Sequence, residues 1–195
     1  MPKVLVLFCG RDADLADLAA AVAEGARSVR FTEADIRRIE SEERGLPAAL
    51  ASGGMEAGSP HAISLLENLD DLATYDAVVL GSPGGGGDMS AELRSLLDRA
   101  HLLVPAGLFR DRVGAAFTTP QTAAGSSAVK WSILTALAGL EMILVPGAEG
   151  DSAADPAAAR AAALYLGRRV ATVSEWVRHA KAHEHGHAHG HGHSH

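Results

Sequence analysis

The sequence predicts an α/β fold in which helices cover both faces of a parallel β-sheet. Short apolar runs alternate along the chain with longer Ala- and Leu-rich segments whose apolar residues recur with helical period. The chain has 195 residues, 47% of them hydrophobic, which suffices for one domain with its own core. Its single cysteine, Cys9, excludes an intramolecular disulfide and a cysteine-based metal site. We therefore expect one domain without covalent cross-links, in a reducing compartment.

Five strands are expected at the apolar runs. They are placed at residues 3–8, 28–36, 76–81, 112–119 and 141–145. Most of them are short and largely apolar, as strands buried on both faces of a parallel sheet are, whereas residues 28–36 include charged residues.

Four helices are expected between and after these strands. The first follows Asp12 or Asp14, either of which can cap a helix N-terminus, and it ends at Gly25. Its apolar face consists of Leu15, Leu18, Ala19 and Val22. The other helices are expected at about residues 90–103, 126–137 and 156–179.

Charge and hydropathy exclude several classes of partner. The chain has 17 Lys and Arg against 24 Asp and Glu, a formal net charge of −7, which argues against binding to nucleic acid or to anionic lipid. The N-terminal apolar run, residues 4–8, is too short for a signal peptide. The run at residues 133–145 is interrupted by Thr135 and Glu141 and falls short of the ~20 residues of a membrane span. We therefore predict a cytoplasmic protein without membrane insertion, whose partners are small molecules or proteins.

Two segments stand apart from the predicted sheet. Residues 40–60 are rich in small and polar residues and form either a plain surface connection or a lid. Residues 1–182 are assigned to the folded domain and residues 183–195 to a disordered tail with histidine at every second position. The tail histidines are His183, His185, His187, His189, His191, His193 and His195. Imidazoles on a flexible chain can gather around Ni²⁺, Zn²⁺ or Cu²⁺, which predicts a metal site, and the alternative interpretation is a purification tag.

The loops that follow the strands are the expected site, because ligands of open parallel sheets bind at the carboxyl ends of the strands. Three loops qualify, at residues 9–14, 82–89 and 118–125. The middle loop contains four consecutive glycines, residues 84–87, between a strand and a helix. Glycine permits a close approach of backbone to ligand, and the N–H groups at the helix start can hold an anion. Cys9 beside this site is either a small buried residue or a redox-sensitive thiol.

The segments around the glycine loop carry a family pattern. Residues 70–83 read DDLATYDAVVLGSP, residues 87–90 read GDMS, and residues 96–98 read LLD. These motifs resemble the flavodoxin-like NAD(P)H:quinone oxidoreductases of the tryptophan-repressor-binding-protein (WrbA) type, in which a strand ending in Gly-Thr-Pro precedes Gly-Asn-Met-Ser. The N-terminal VLVLF and the EMILVP of residues 141–146 are similar to the family as well. The resemblance covers residues 3 to about 180.

The resemblance implies an α/β flavodoxin-like three-layer sandwich with a five-stranded parallel sheet in the order 2-1-3-4-5. It further implies FMN at the carboxyl edge, two-electron transfer from NAD(P)H to a quinone, and assembly as a dimer or tetramer; no catalytic side chain is assigned. A homodimer is predicted, because the chain lacks between Val145 and Asp151 the insertion that many relatives use in tetramer contacts. The implied cofactor-binding residues are Gly10, Arg11, Asp12, Ala13, Asp14 and Leu15 at the phosphate, Pro83, Gly84, Gly85, Gly86 and Gly87 at the ring, and Thr118, Thr119, Pro120, Gln121 and Thr122 on its other side.

The first and second loops depart from the family pattern. Asp12 and Asp14 place two carboxylates where a phosphate is expected, and either can occupy the helix N–H groups that phosphate needs. The glycines also lack the side chains that relatives place against the flavin. Two hypotheses follow: an FMN-dependent NAD(P)H:quinone oxidoreductase, or a flavodoxin-like domain that has lost FMN and serves as a binding or assembly module with a metal-binding tail.

Overall fold

The computed structural model describes residues 1–10, 12–39, 63–66, 68–84, 87–119, 123–147 and 155–187. In chain order the elements are β1 (Lys3–Cys9), α1 (Ala13–Arg27), β2 (Glu33–Ile39), β3 (Ser64–Leu65), β4 (Ala77–Ser82), α2 (Ala91–His101), β5 (Val113–Thr118), α3 (Ala123–Gly139), β6 (Ile143–Leu144) and α4 (Pro156–His187), with 3₁₀ helices at Leu69–Thr74 and Val104–Ala106. The predicted long loop, residues 40–60, lies outside the described residues.

The described strands form one parallel sheet in the order β3-β2-β1-β4-β5-β6. The predicted order of the five expected strands is confirmed, and the fold is the expected α/β flavodoxin-like one. The number of strands is corrected from five to six, because Ser64 and Leu65 pair with Arg37 and Arg38 at the edge of the sheet. This strand has two residues and was too short to give a sequence signal.

The second and last strands begin later than the sequence predicted. β2 starts at Glu33 rather than residue 28, because Ser28 ends α1 and Phe31 has a φ of 60°, which a strand does not allow. β6 starts at Ile143 rather than residue 141, because Glu141 has a φ of 62°. These left-handed residues close the two turns that lead into the strands.

The last two helices are longer than predicted. α3 begins at Ala123 rather than residue 126, and α4 ends at His187 rather than residue 179. α4 therefore continues through the first part of the predicted histidine tail, residues 183–187.

Two apolar cores lie on opposite faces of the sheet. Alternate side chains of β1 supply both: Val4, Val6 and Phe8 pack with α1 and α4, while Leu5 and Leu7 pack with α2 and α3. All are buried. Burial on both faces explains why β1 is apolar without a polar alternation.

The backbones of α1 and α4 approach closely at two glycines. A Cβ built on Gly25 would lie 2.0 Å from the carbonyl oxygen of Leu164, and one on Gly167 would lie 1.9 Å from the carbonyl oxygen of Val22. Each glycine thus faces the backbone of the other helix. This contact fixes α1 on the sheet, with its N-terminus at the carboxyl edge.

The buried side chain of Tyr75 joins β2 to the segment that precedes β4. The Tyr75 hydroxyl donates to Asp35 Oδ2 at 2.7 Å, and Arg37 Nη1 donates to Asp71 Oδ2 at 2.9 Å beside it. Burial, together with the bond to the Asp35 carboxylate, raises the pKa of Tyr75 to about 12. The folded state therefore favours the neutral phenol.

Folding stability is expected to fall as the pH rises from about 10, where a free phenol ionises, to about 12. The unfolded chain loses its Tyr75 proton first, so the folded state binds more protons and the free energy of unfolding drops by on the order of 2 kcal/mol. Urea unfolding across this range measures the drop. Tyr75→Phe is the control and should lose this part of the pH dependence; an unchanged slope in that variant would contradict the assignment.

Candidate functional site

The three predicted loops meet at the carboxyl edge of the sheet. They follow β1, β4 and β5, which are neighbours: Phe8 pairs with Gly81, and Ser82 pairs with Thr118. The described members of the predicted set are Gly10, Asp12, Ala13, Asp14, Leu15, Pro83, Gly84, Gly87, Thr118 and Thr119. The other members, Arg11, Gly85, Gly86, Pro120, Gln121 and Thr122, lie outside the described residues.

The first loop turns the chain from β1 into α1. Gly10 has a φ of 87°, and among the described residues a Cβ built on it would meet only Pro83 Cγ, at 4.0 Å, so these residues leave space beside its backbone. Leu15 is fully buried in the core, whereas Ala13 and Asp14 are exposed. Leu15 therefore anchors the helix, and Gly10 provides the concave backbone of the loop.

Asp12 caps α1. Its Oδ1 accepts from Asp14 N at 3.0 Å and from Leu15 N at 3.4 Å, while its carbonyl oxygen accepts from Ala16 N at 3.1 Å. The sequence left Asp12 and Asp14 as alternative caps, and the structure selects Asp12. Two N–H groups of the first helical turn are thereby occupied by a side chain of the protein itself.

Hydroxyl groups hold the second and third loops together. The Thr118 hydroxyl donates to Ser82 O at 2.7 Å, and Gly84 N donates to Thr119 Oγ1 at 3.2 Å. Ser82 Oγ accepts from Ser90 N at 2.9 Å and so fixes the start of α2. Thr118 and Thr119 therefore shape the loops through contacts within the protein. Ser82 lies in the predicted loop 82–89 but was not among the predicted cofactor-binding residues, and Ser90 lies outside the predicted loops.

Cys9 is a buried thiol beneath the loops. Its Sγ lies 2.8 Å from Ser90 Oγ and 3.6 Å from Gly81 O. Burial raises the pKa of the Cys9 thiol and outweighs the hydrogen bonds to Ser90 and Ser82, which act in the opposite direction. The neutral thiol is favoured, which fits the small buried residue rather than a reactive thiolate.

Asp88 adds a carboxylate at the end of the glycine loop. It accepts from its neighbouring Met89 N at 2.8 Å and pairs with Arg94 of α2. The Met89 N–H, followed by the Ser132 hydroxyl, holds the pKa of Asp88 below its ordinary value. The carboxylate is therefore charged, and Arg94 lies beside it.

The histidine tail is only partly described. His183 is exposed on α4, His185 and His187 lie in the same helix, and residues 188–195, which include His189, His191, His193 and His195, lie outside the described residues. Among the described residues, no three His, Cys, Asp or Glu side chains are grouped so that they could hold a metal ion. Within the same residues, no helix is both long and apolar enough to cross a membrane.

Comparison with known proteins agrees with this geometry. Residues 2–154 match the family model described as NADPH-dependent FMN reductase. The chain is 36% identical over 149 residues to an NAD(P)H dehydrogenase (quinone) of Cupriavidus metallidurans, an alignment that covers 74% of this chain and 70% of the relative.

Solved structures share the fold. A WrbA-like flavodoxin from Agrobacterium tumefaciens superimposes with a TM-score of 0.62 at 17% identity, covering 90% of this chain and 99% of that one. FerB, an NAD(P)H:(acceptor) oxidoreductase from Paracoccus denitrificans, gives a TM-score of 0.59 at 15% identity, covering 91% and 98%. The resemblance seen in the sequence is confirmed, and the chain belongs to the NADPH-dependent FMN reductase family of flavodoxin-like oxidoreductases.

Proposed function

We propose that the chain is an FMN-dependent NAD(P)H:quinone oxidoreductase. The observation that carries this proposal is the convergence of three loops at one edge of the sheet, where flavodoxin-like proteins bind FMN. Family membership supports it, since the matched family is named as a reductase and the relative from Cupriavidus metallidurans as a dehydrogenase. These names favour the enzyme over the alternative of a binding module that has lost FMN.

The backbone of the loops fits a flat cofactor. The left-handed conformation of Gly10 leaves space in which a Cβ would stand, and Pro83 borders that space. Gly84 lies on the next loop, with its N–H bonded to Thr119. These residues would hold the flavin through backbone and proline contacts, and the N-terminus of α1 would face the phosphate once Asp12 releases its two N–H groups.

These residues position the cofactor, and the cofactor itself supplies the redox chemistry. When bound, FMN supplies the two-electron chemistry that links NAD(P)H to the quinone. The chain positions the group: Ser82, Thr118 and Thr119 lock the two loops into one arrangement. No described side chain is assigned a proton-transfer role.

A titration with FMN followed by visible absorbance tests the proposal. We expect a saturable flavin spectrum at micromolar concentration that NAD(P)H bleaches and a quinone restores. Gly10→Val should weaken FMN binding by about tenfold or more, because the branched side chain enters the open space beside the loop. Binding that is absent up to millimolar FMN would overturn the proposal.

The matched control is Gly107→Val. Gly107 also has a positive φ, 68°, and no atom of the described part of the chain lies within 4 Å of a Cβ built there. Its backbone strain is therefore similar, but it lies at the end of the 3₁₀ helix Val104–Ala106, outside the three loops. Only the Gly10 variant should lose flavin. Gly10→Ala replaces it if the valine variant does not fold.

Finer expectations complete the proposal. The protein is expected to act in the cytoplasm as a homodimer, with NAD(P)H and a quinone-like small molecule as its substrates and no nucleic acid or membrane as partner. The net charge of −7 supports the last point. Metal binding by the histidine tail remains a prediction from the sequence.

A further inference from the structure

The N-terminus of α1 already holds an anionic group of the chain itself. Three N–H groups of its first turn, those of Ala13, Asp14 and Leu15, lack partners within the helix. Asp12 Oδ1 accepts from the last two, at 3.0 and 3.4 Å. A flavin phosphate in this fold depends on the same groups. The carboxylate and the phosphate therefore compete for one set of donors.

Charge strengthens this competition. The positive end of the α1 dipole stabilises the Asp12 carboxylate at the cap. The exposed side chain of Asp14 adds a second negative charge in the first turn. Both charges repel a phosphate dianion that approaches this helix end, and the positive charge of Arg11, the neighbour of Asp12 in the sequence, offsets about one of them. A neutral flavin ring meets neither obstacle, because its expected place is at Gly10, Pro83 and the glycine loop.

We propose that Asp12 is a specificity-determining residue that cancels the preference for the phosphorylated flavin. The inference rests on the proposed function, and it states that riboflavin and FMN bind this chain with affinities within about tenfold of each other. Displacing a side-chain cap typically costs an amount equivalent to about 2- to 30-fold in affinity. That loss falls on FMN alone, since riboflavin has no phosphate.

The test compares dissociation constants of FMN and riboflavin, measured by quenching of flavin fluorescence, in the full chain and its variants. Asp12→Gly removes the carboxylate and frees both N–H groups, yet glycine is itself an acceptable cap, so the helix is retained. We expect FMN to bind about tenfold more tightly to this variant and riboflavin to bind within about twofold of the original chain. Asp12→Ala, which also removes the acceptor oxygen and frees both N–H groups, serves if the glycine variant does not fold.

Asp14→Asn is the matched control. It removes the same charge from the same helical turn, but Asp14 does not bond to the first-turn N–H groups through its side chain. It should tighten FMN by less than about threefold, since exposed charges are screened by solvent. If both variants gained the same FMN affinity, the loss of charge alone would explain the gain. That result would overturn the proposal that Asp12 and the phosphate compete for the same N–H donors.

The outcomes separate this inference from the proposed function. FMN that binds the original chain more than about tenfold more tightly than riboflavin overturns the inference and leaves the flavoenzyme intact. If Asp12→Gly leaves the ratio of the FMN and riboflavin dissociation constants unchanged, the inference is likewise overturned and the flavoenzyme remains intact. Failure of every variant to bind either flavin up to millimolar concentration overturns both. Equal binding of the two flavins without reduction by NAD(P)H overturns the proposed function alone.

Discussion

Replacing Gly167 by alanine is expected to lower the free energy of unfolding by about 3 kcal/mol. The new Cβ would lie 1.9 Å from Val22 O and 2.9 Å from Ala26 N, which are backbone atoms of α1 and cannot turn aside as a side chain does. The two helices must therefore separate, and the apolar contacts between them weaken along their whole length. Urea unfolding of the variant and the original chain measures the loss.

The sign of the stability change in Gly167→Ala shows whether α1 and α4 approach as closely as described. In a helix without this contact, alanine in place of glycine raises stability by about 1 kcal/mol. Ala161→Gly, at an exposed position of α4, is the control and should lower stability by only about that amount. A Gly167→Ala variant that is more stable than the original chain would contradict the close approach of α1 and α4.

Gly81→Ala is expected to cost about 2 to 3 kcal/mol of stability and to disturb the site above it. Its Cβ would lie 2.3 Å from Phe117 Cζ and 2.7 Å from both Cε atoms of that ring. Gly81 pairs with Phe117 across β4 and β5, and the ring is buried, so neither residue has room to move. Thermal or urea unfolding measures the loss.

A double-mutant cycle shows whether the clash with the Phe117 ring causes the stability loss in Gly81→Ala. In the Phe117→Leu background the added methyl group meets a smaller side chain, so Gly81→Ala should cost about 1 kcal/mol or less. Gly114→Ala is the control in the neighbouring strand, since its Cβ would come no closer than 3.2 Å to Leu137. It should cost less than Gly81→Ala. Equal costs of Gly81→Ala in both backgrounds would contradict the clash with Phe117.

The positions of the main strands and the meeting of the three loops were predictable, because they depend on apolar runs and on the topology of parallel sheets, whereas the strand order was predicted only through the resemblance to the family. The start of β2 was not predictable. Residues 28–32 contain Val29 and Phe31, which are common in strands, yet Phe31 adopts a left-handed conformation in the turn after α1. A local pattern does not report a φ that the tertiary structure imposes.

The candidate site was predictable in its backbone and less so in its side chains. The choice between Asp12 and Asp14 as the cap depended on where α1 begins, which the helical period leaves open by a residue or two. Ser82 and Ser90 were missed because their bond joins a strand end to a helix start across the glycine loop. The presence of a hydroxyl residue on each side of the glycine run, Ser82 and Ser90, is the sequence signal that could have indicated this bond.

The glycine contact between α1 and α4 determines the position of the capped end of α1 through the length of that helix. Gly25 lies near the end of α1 that is remote from Asp12, about 20 Å along the helix axis. A tilt of about 5° about this contact would carry the capped end sideways by nearly 2 Å, roughly the difference between a made and a broken hydrogen bond. A substitution in α4 that tilted α1 in this way would therefore displace Asp12 without contacting the site directly.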